Sequence, residues 1–431
     1  MLSFINRLYT GFISPPESSK VDDPVRFGVL GASFIAPMAL ILPAKSHPEV
    51  LVACVAARDR AKAELYAKKH GIPVVHSTYE DLINDPSISC VYIALPNSHH
   101  YEWALRAIKA GKHVLLEKPS TSNAIEAKRL FNHSKMKADD APVLLEAFHY
   151  RFHPAWQKFL ALIHKDPLAG PVKSAYSQSY LWKGFLSSDD IRLKYSLSGG
   201  CTMDFATYNI SHIRQIFDDQ HPQVESTNFR MVVDKGSAAR EEDSNQIDEA
   251  VTATYKSKSG AQGRIVADMK TTGGWPLLPS SWTRNLPSFG WPKCVAELDE
   301  KHIYDEKIGE RETHTVQRTV TMLNHLIPQI YHCIIVEDKH VIRHELQVVR
   351  SWTEKKNVKA YDWLDKSDGR QGADWWTTYR YQLEEFVNRV KGRNGSGVWI
   401  DRQDSINQME VVDETYRKGG LEIRPTSALE S

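Results

Sequence analysis

Short apolar runs alternate with longer charged segments along the first third of the chain, starting at Val25. Each run has the length of a strand and lacks the polar–apolar alternation of a half-exposed strand. The segments between the runs are typical of helices, and Gly71 follows one of them at the position where helices commonly end. This alternation predicts a parallel sheet with helices on both faces. The predicted strands are VRFGVLG (25–31), VLVACVAA (50–57), VVH (74–76), SCVYIALP (89–96), HVLLEKP (113–119) and PVLLEAF (142–148).

The pattern changes after Phe148, where longer stretches alternate apolar and polar residues, as in 173–182, 248–257 and 263–272. Period-two alternation is typical of strands with one buried face, and it predicts antiparallel strands of an open sheet. The Trp- and Pro-rich stretch 271–293 is interpreted as a long loop. Two helices are predicted near the C-terminus, one from about 379 to 391 and one over 404–420.

Composition and charge exclude several classes of function. The chain has 431 residues and a formal net charge of +1, so it lacks the basic surplus of a general nucleic-acid or membrane-surface binder. Its five cysteines are far apart and form no CxxC pair, which argues against a disulfide scaffold and a structural zinc site. We therefore predict no metal and a reducing, cytoplasmic setting. The N-terminus is a poor signal peptide, and polar residues interrupt the apolar run 320–336, which we interpret as core or interface.

The turn after the first predicted strand has the spacing of the dinucleotide fingerprint GxGxxG/A, which lies between a strand and a helix. Gly31 stands at the first position, Ser33 at the second and Ala36 at the third. Serine is small enough for the backbone to approach a pyrophosphate, and a helix N-terminus would face the anion. Tight turns need small residues in any case, so the motif gains weight from its place after the first strand. The predicted cofactor contacts here are Gly28, Gly31, Ser33, Phe34 and Ile35.

The end of the second predicted strand indicates which dinucleotide binds. A carboxylate there would suit the ribose hydroxyl of NAD, but this chain has Ala57 and Arg58. A guanidinium suits a 2′-phosphate, and Lys62 follows one helical turn later. Two cations on an exposed helix are common, yet the missing acid and the arginine together favour NADP over NAD. These features predict an α/β Rossmann domain (25–148), preceded by an extension (1–24) and followed by an α+β domain with an open, mostly antiparallel sheet (149–431).

An ordered set of motifs resembles the glucose–fructose oxidoreductase/inositol dehydrogenase family, and within it the NADP-dependent D-xylose 1-dehydrogenases and dimeric dihydrodiol dehydrogenases. The resemblance implies the same two domains, and a C-terminal helix that packs back on the first. It also implies a homodimer formed through the open sheet. The motifs are the fingerprint turn, Ala57-Arg58, Ala94-Leu95-Pro96-Asn97, Glu117-Lys118-Pro119, and the stretches 146–154 and 377–421.

The resemblance further implies a catalytic group made of Lys118, Asp204 and Tyr208. Lys118 would lie at the carboxyl end of a parallel strand, where open α/β sheets bind ligands, and a cis bond to Pro119 is plausible. Asp204 and Tyr208 are four residues apart, so they would share one face of a helix. Tyr208 would be the general base, with its pKa lowered by the Lys118 ammonium, and Asp204 would hold a substrate hydroxyl or orient Lys118. Relatives usually have an aliphatic residue and glycine in place of Phe205 and Ala206, which leaves the local helix packing open.

Other residues are assigned to the cofactor and the substrate by the same resemblance. The nicotinamide edge is predicted to include Leu95, Pro96, Asn97, His100, Glu117 and Lys118. The substrate side is predicted to include Tyr150, Arg151, His153 and Tyr208.

The expected reaction is oxidation of the C1 hydroxyl of an aldopyranose such as D-xylose by NADP, giving a lactone. A trans-dihydrodiol or glycoside dehydrogenase of the same family is an alternative, and so is a nucleotide-binding regulatory protein without turnover. Relatives usually have a shorter connection between residues 273 and 363. That segment could therefore reshape the pocket or build a subunit interface. The expected partners are a sugar or diol and a second copy of the chain, with no nucleic acid or membrane.

Overall fold

The first sheet is parallel throughout and has the strand order β3-β2-β1-β4-β5-β6. Its strands are β1 (Val25–Leu30), β2 (Val50–Ala56), β3 (Val74–His76), β4 (Cys90–Ile93), β5 (His113–Leu116) and β6 (Leu144–Glu146). The predicted parallel sheet is confirmed. The computed structural model of the chain describes residues 2–187, 189–232, 246–273, 275, 278–284, 286, 291–304, 309, 311–367 and 369–429.

Helices connect the strands of this sheet, and their ends follow local sequence signals. The Asp59 side chain accepts a hydrogen bond from the Lys62 backbone N–H and caps the helix Arg60–His70, which ends at Gly71 in the left-handed conformation. The fingerprint turn leads into a π-helical turn, Pro37–Ile41, and then into the helix Leu42–Lys45. The remaining helices of this part are Leu2–Phe12, Tyr79–Ile83, His100–Lys109 and Ala124–Phe131.

The second sheet has nine strands and is antiparallel except for one parallel pair, β10 with β7. Its main order is β15-β14-β13-β11-β7-β10-β9-β8, and β12 pairs with β13. The predicted open, mostly antiparallel sheet is thereby confirmed. Its strands are β7 (Val172–Trp182), β8 (Gln223–Met231), β9 (Asp248–Lys256), β10 (Gln262–Thr271), β11 (Lys293–Leu298), β12 (Lys301–Ile303), β13 (Glu312–Leu323), β14 (Cys333–His344) and β15 (Gln347–Val358).

Helices cover one face of the second sheet, as the alternation along its strands requires. On β7, Ala175, Ser177 and Ser179 are buried, whereas Tyr176 and Tyr180 on the other face are half-buried. The helix Thr207–Phe217 packs on β7 and β10. The helices of this part are Pro154–His164, Thr207–Phe217, Ser280–Thr283, Thr378–Val390 and Arg402–Lys418.

Two sequence interpretations concern the segment after β10. The predicted loop 271–293 lies partly outside the described residues, which within it include the short helix Ser280–Thr283. The apolar run 320–336 forms the end of β13, a connection and the start of β14. The polar residues that interrupt this run together with Pro328 are all buried: Asn324, His325, Gln329 and His332. No helix among the described residues is long and apolar enough to cross a lipid bilayer.

The C-terminal helix Arg402–Lys418 ties the second part of the chain to the first. Its Asp413 side chain accepts a hydrogen bond of 3.0 Å from the Ala124 backbone N–H, and Glu410 forms an ion pair with Lys128 at 2.6 Å. After this helix, the Arg424 carbonyl accepts a 2.9 Å hydrogen bond from the Asn123 side chain. These contacts pack the C-terminal helix against the helix Ala124–Phe131, which follows β5 in the chain.

Candidate functional site

Lys118 and Asp204, from different parts of the chain, meet at the carboxyl end of β5. The Lys118 Nζ donates to Asp204 Oδ1 at 2.7 Å and to the Asp204 carbonyl oxygen at 2.9 Å. Lys118 follows β5 directly, and its peptide bond to Pro119 is cis. Carboxyl ends of parallel strands are the usual place for ligands in open α/β sheets. The sequence therefore places the ammonium group at this edge, and the tertiary fold supplies its carboxylate.

Asp204 is shared between two cations. Arg192 Nε donates to Asp204 Oδ2 at 2.5 Å, and the Arg192 guanidinium also contacts Asp190 at 3.0 Å. Burial alone would raise the pKa of Asp204, but the charges of Lys118 and Arg192 outweigh it and hold that pKa below its usual range. Asp204 is therefore ionised at neutral pH and fixes the position of the Lys118 ammonium.

Tyr208 belongs to a hydrogen-bonded chain beside this ion pair. Its Oη lies 3.1 Å from His149 Nε2, and His149 Nδ1 lies 2.8 Å from Thr378 Oγ1. The Lys118 Nζ lies over the Tyr208 ring at 4.8 Å from its centroid, in cation–π geometry. Burial, reinforced by the Lys118 charge, lowers the pKa of His149 to about 3. The His149 imidazole is therefore neutral at pH 7, and one of its two ring nitrogens can accept a hydrogen bond.

The expectation that Lys118 lowers the pKa of Tyr208 is wrong. Burial raises that pKa well above its usual value, and the negative charges of Glu117 and Asp204 add to the effect. The Lys118 charge is compensated by Asp204 at 2.7 Å, so it stabilises a Tyr208 phenolate only weakly. Tyr208 is a neutral phenol here, so an acid–base role for it would need a partner such as His149.

A π-helical turn, Thr202–Ala206, carries Asp204 into the helix that contains Tyr208. The wider turn lies at the positions where Phe205 and Ala206 depart from the pattern of relatives. It still leaves the Asp204 carboxylate and the Tyr208 ring on the same side, because both contact Lys118. π-turns of this kind are frequent at functional sites.

The fingerprint turn has the backbone that a dinucleotide cradle needs. Gly31 has φ of 101°, and a Cβ at this position would lie 2.9 Å from the Ala94 carbonyl oxygen. Glycine is required at such a conformation and such a close approach. The Ser33 hydroxyl accepts from the Ala36 backbone N–H at 3.2 Å and so shapes the loop. Phe34 is 93% exposed at its tip.

The remaining predicted cofactor residues lie around this cradle. Gly28 lies within β1, where a Cβ would meet Leu82 Cδ2 at 2.4 Å, so strand packing alone requires glycine there. Arg58 and Lys62 are exposed just beyond the end of β2. Ile35 is partly buried against the core.

The residues after β4 link the first sheet to the second part of the chain. The Asn97 amide donates to the Ser198 carbonyl oxygen at 3.0 Å. The His100 ring bridges two strand-end loops, with Nδ1 at 2.8 Å from the Pro119 carbonyl oxygen and Nε2 at 2.9 Å from that of Leu95. Glu117 is buried and accepts a 2.7 Å hydrogen bond from Tyr92 Oη, while Pro96 is half-buried. These contacts fix the floor between the fingerprint turn and Lys118.

The three further residues predicted for the substrate have partners within the protein. Tyr150 is fully buried, with its Oη donating to Ser211 Oγ at 2.8 Å. Arg151 forms a buried ion pair with Asp404. His153 is fully buried and caps the helix Pro154–His164. The Tyr150 ring also packs against the Tyr208 ring, with 5.9 Å between centroids, and the substrate role of all three residues stays a prediction.

Two residues near Lys118 were missed by the sequence analysis. Arg192 lies in an irregular segment, and no local pattern connects it to Asp204. His149 lies in the motif stretch 146–154, within the short 3₁₀ turn His149–Phe152. A turn of four residues has no helical or strand periodicity that would single out His149 among its neighbours. Its contact with Tyr208 depends on how the two parts of the chain pack.

Residues 25–140 match the model of the oxidoreductase family with an NAD-binding Rossmann fold, GFO_IDH_MocA. The match covers most of the predicted Rossmann domain of this chain. The resemblance inferred from the ordered motifs is confirmed by this match.

Curated relatives include two kinds of dehydrogenase. D-xylose 1-dehydrogenase (NADP(+)) 2 from Haloferax volcanii is 38% identical over 188 residues, which are 44% of this chain and 56% of that protein. Trans-1,2-dihydrobenzene-1,2-diol dehydrogenase from Sus scrofa is 26% identical over 251 residues, which are 57% of this chain and 68% of that protein. The match thus spans little more than half the length of the Haloferax relative.

Solved structures resemble the chain over almost its whole length. The 3-ketoreductase KijD10 from Actinomadura kijaniata, in complex with NADP and TDP-benzene, has a TM-score of 0.63 at 19% identity and covers 91% of this chain and 96% of its own. An aldose-aldose oxidoreductase from Caulobacter crescentus, complexed with glycerol, has a TM-score of 0.62 at 17% identity, with coverages of 92% and 98%. These likenesses show that both domains share the fold.

Proposed function

We propose that the chain is an NADP-dependent dehydrogenase that oxidises a sugar hydroxyl, with the C1 hydroxyl of an aldopyranose such as D-xylose as the preferred group. The observation that carries this proposal is the meeting of Lys118 and Asp204 at 2.7 Å beside Tyr208, at the carboxyl end of the parallel strands. The Haloferax relative, named for NADP and D-xylose, supports the choice of cofactor and sugar.

The residues present fit a bound NADP. A Cβ at Gly31 would lie 2.9 Å from the Ala94 carbonyl oxygen, so the glycine allows the tight strand-to-helix turn that a pyrophosphate site needs. Arg58 and Lys62 stand exposed at the strand end where a 2′-phosphate would need cations. When bound, NADP would accept a hydride from the substrate carbon.

The protein side of the reaction concerns the hydroxyl proton and the charge that develops on oxygen. The Lys118 ammonium, oriented by Asp204, is suited to stabilise an oxygen that gains negative charge. The neutral Tyr208 phenol can accept the hydroxyl proton as its own proton passes to His149 Nε2, 3.1 Å away. This relay requires the tautomer with the proton on His149 Nδ1, which can donate it to Thr378 Oγ1, 2.8 Å away.

If Arg58 binds the 2′-phosphate, replacing it should lower the affinity for NADP but not for NAD, which lacks that phosphate. Replacing Arg58 with Ala should weaken NADP by about 1.5–3 kcal/mol, because a charge-assisted contact is lost, and should leave NAD almost unaffected. Calorimetric titration of both cofactors measures this difference. Arg60→Ala is the matched control, because Arg60 already binds Glu64 at 2.9 Å and Ser77. Equal affinity of the unmodified chain for NAD and NADP would contradict the assignment.

The relay predicts a loss of turnover without a loss of cofactor binding. Tyr208→Phe should lower kcat about 100-fold, as expected when a positioned acid–base group is removed, because the phenyl ring keeps the packing but not the Oη. Steady-state rates and NADP titration, measured together, separate the two effects. Tyr255→Phe removes the hydroxyl of another fully buried tyrosine, which lies on β9 and contacts Thr415 Oγ1 at 2.9 Å, and serves as the control. A turnover near that of the unmodified chain would exclude Tyr208 from the relay.

The sharing of Asp204 between two cations predicts a change in pH dependence. Arg192→Gln removes one of the charges that hold the pKa of Asp204 down, so the opposing effect of burial should raise that pKa. Asp204 would then bind a proton at a higher pH, and the acidic limb of the kcat/KM profile should shift to higher pH. Arg192→Lys keeps the charge and should move it less. An acidic limb that stays in place in Arg192→Gln would show that Arg192 does not act through Asp204.

The substrate is tested by a panel that separates the candidate carbons. Reduction of NADP is measured with D-xylose, D-glucose, a glucoside blocked at C1 and an aromatic trans-dihydrodiol. A site built for several hydroxyls should strongly disfavour a sugar that lacks one, because its own polar groups would be left unpaired. Turnover of the blocked glucoside would exclude C1 as the oxidised carbon.

A diol dehydrogenase is the second candidate, and aromatic rings near Lys118 favour it. Phe148 packs edge-on against Tyr208 at 5.7 Å, and His149 lies against Tyr379 at 4.1 Å. The Sus scrofa relative is named for a trans-dihydrodiol. A higher kcat/KM for the aromatic diol than for every sugar in the panel would select this alternative.

The homodimer is also a proposal, and the half-buried outer face of β7 supports it. Tyr176 and Tyr180 lie on that face, and Lys293 Nζ lies 5.5 Å from the Tyr176 ring centroid. Aromatic residues are enriched at interfaces between subunits. Sedimentation velocity over a range of concentrations measures the assembly, and a monomer throughout would exclude it.

A further inference from the structure

One group of side chains among the described residues has the composition and spacing of a metal site. It consists of His212, Cys294 and His325, all buried. One ring nitrogen of each histidine and the Cys294 sulfur lie within 4.8 Å of one another. The three residues come from the helix Thr207–Phe217, from β11 and from the connection after β13. Because they are far apart in the chain, the search for CxxC pairs predicted no metal.

The His325 ring presents an unshared lone pair to the protein interior. Its Nε2 lies 3.1 Å from the Gln178 carbonyl oxygen, which can only accept a hydrogen bond. Nε2 therefore carries the ring proton, and Nδ1 is the basic nitrogen. Nδ1 is buried and has no hydrogen-bond partner. Histidines that bind metals commonly have their other nitrogen fixed by a carbonyl in this way.

The His212 ring is arranged similarly, through a hydroxyl. Its Nδ1 lies 2.9 Å from Ser177 Oγ, and Ser177 Oγ lies 3.4 Å from Cys294 Sγ. These distances allow His212 Nδ1–H to donate to Ser177 Oγ and the Ser177 hydroxyl to donate to Cys294 Sγ. His212 Nε2 then keeps a lone pair, and that atom is also buried without a partner. The Ser177 hydroxyl would then also donate a hydrogen bond to a Cys294 thiolate.

All three proposed ligands are fully buried, and the Cys294 thiol would lose its proton when a metal binds. Buried nitrogens without hydrogens and without partners are otherwise costly in a protein core.

We propose that His212, Cys294 and His325 bind one thiophilic d¹⁰ metal ion, Zn²⁺ or Cu⁺. Imidazole nitrogens and a thiolate are ligands that both ions take. Metal bonds of about 2.0–2.3 Å put neighbouring donors about 3.5 Å apart, so the three donor atoms would move closer together when an ion binds. His212 lies one helical turn after Tyr208. The ion would therefore fasten the helix that carries Tyr208 to β11 and to the connection that contains His325.

The test uses metal content and spectroscopy, so it does not depend on the proposed dehydrogenase activity. The full-length chain is loaded with Zn²⁺, Cu⁺ or Co²⁺, freed of excess ion, and analysed by mass spectrometry of the elements. One ion per chain is expected, and Co²⁺ should show a thiolate-to-cobalt charge-transfer absorption. Competition with chelators of known affinity then ranks Zn²⁺ against Cu⁺.

Matched variants decide whether these three residues are the ligands. Cys294→Ser should abolish the charge-transfer absorption, whereas Cys333→Ser, a buried cysteine outside the group, should retain it. Ser177→Ala should weaken the ion about 10–100-fold, as expected for loss of a hydrogen bond to ligands. If Cys294→Ser does not fold, His325→Gln replaces it, and a chelator should lower the Tm of the unmodified chain but not of this variant. Failure of the unmodified chain to retain any of the three ions would overturn the proposal, and so would an unchanged absorption in the ligand variant.

Discussion

Replacing Lys118 with alanine is expected to lower turnover at least about 100-fold and to leave NADP binding almost unchanged. The ammonium is suited to stabilise the oxygen that develops negative charge, and positioned charges and proton donors of this kind each contribute about 10²–10³-fold. Asp204 would keep one cation, Arg192, so the fold of this region should survive. Single-turnover rates measure the chemical step, and calorimetry measures cofactor affinity.

Two comparison variants make the Lys118 result specific. Lys118→Arg keeps a positive charge but changes its shape and reach, so it should recover only part of the lost turnover. Lys128→Ala removes a lysine of the same domain whose ammonium binds Glu410 at the surface, and it should behave like the unmodified chain. A Lys118→Ala protein that keeps its turnover within a few-fold would remove Lys118 from the reaction.

Breaking the buried pair between Arg424 and Asp248 is expected to cost about 3–5 kcal/mol in the free energy of unfolding. Both side chains are 0% exposed, and their contact is 2.8 Å. Arg424→Met would leave the Asp248 carboxylate buried without its cation. The loss should reach the candidate site too, because Arg424 Nε donates to the Gly199 carbonyl oxygen and Asp248 accepts from the Thr202 backbone N–H. Denaturant unfolding measures the change.

The control for this prediction is an exposed ion pair of the same type. Lys355 and Glu337 lie 2.8 Å apart on the outer strands and are 58% and 40% exposed, so Lys355→Met should cost no more than about 1 kcal/mol. Pairing Arg424→Met with Asp248→Asn removes both charges and should recover part of the lost stability. Similar costs for Arg424→Met and Lys355→Met would show that burial does not strengthen the inner pair.

Local patterns in the sequence predicted much of the fold. The apolar runs and the helix signals, such as Asp59 before and Gly71 after one helix, act within a few residues, so they can be recognised without tertiary information. The change to period-two alternation after Phe148 predicted the second sheet for the same reason. The Rossmann-family resemblance followed from an ordered set of such local motifs.

The candidate site divides between what is local and what is not. The sequence alone determined that Gly31 lies in the turn after the first strand and that Lys118 lies at the end of another, since both positions follow from strand ends. Only the tertiary structure decided that Arg192 shares Asp204 and that His149 contacts Tyr208, because these pairs come from segments far apart in the chain.

The acid–base properties of Tyr208 and the donors of the proposed metal site were likewise decided by the tertiary structure. The lowered pKa expected from Lys118 was wrong, because burial and the Asp204 charge are properties of the packed protein rather than of a motif. His212 and Cys294 are separated by more than one strand and meet only where a helix packs on the sheet. Local pattern thus determines which elements form and where strand-end residues lie. Long-range packing determines which charges, lone pairs and buried rings those residues meet, because desolvation and Coulomb interactions act through space and not along the chain.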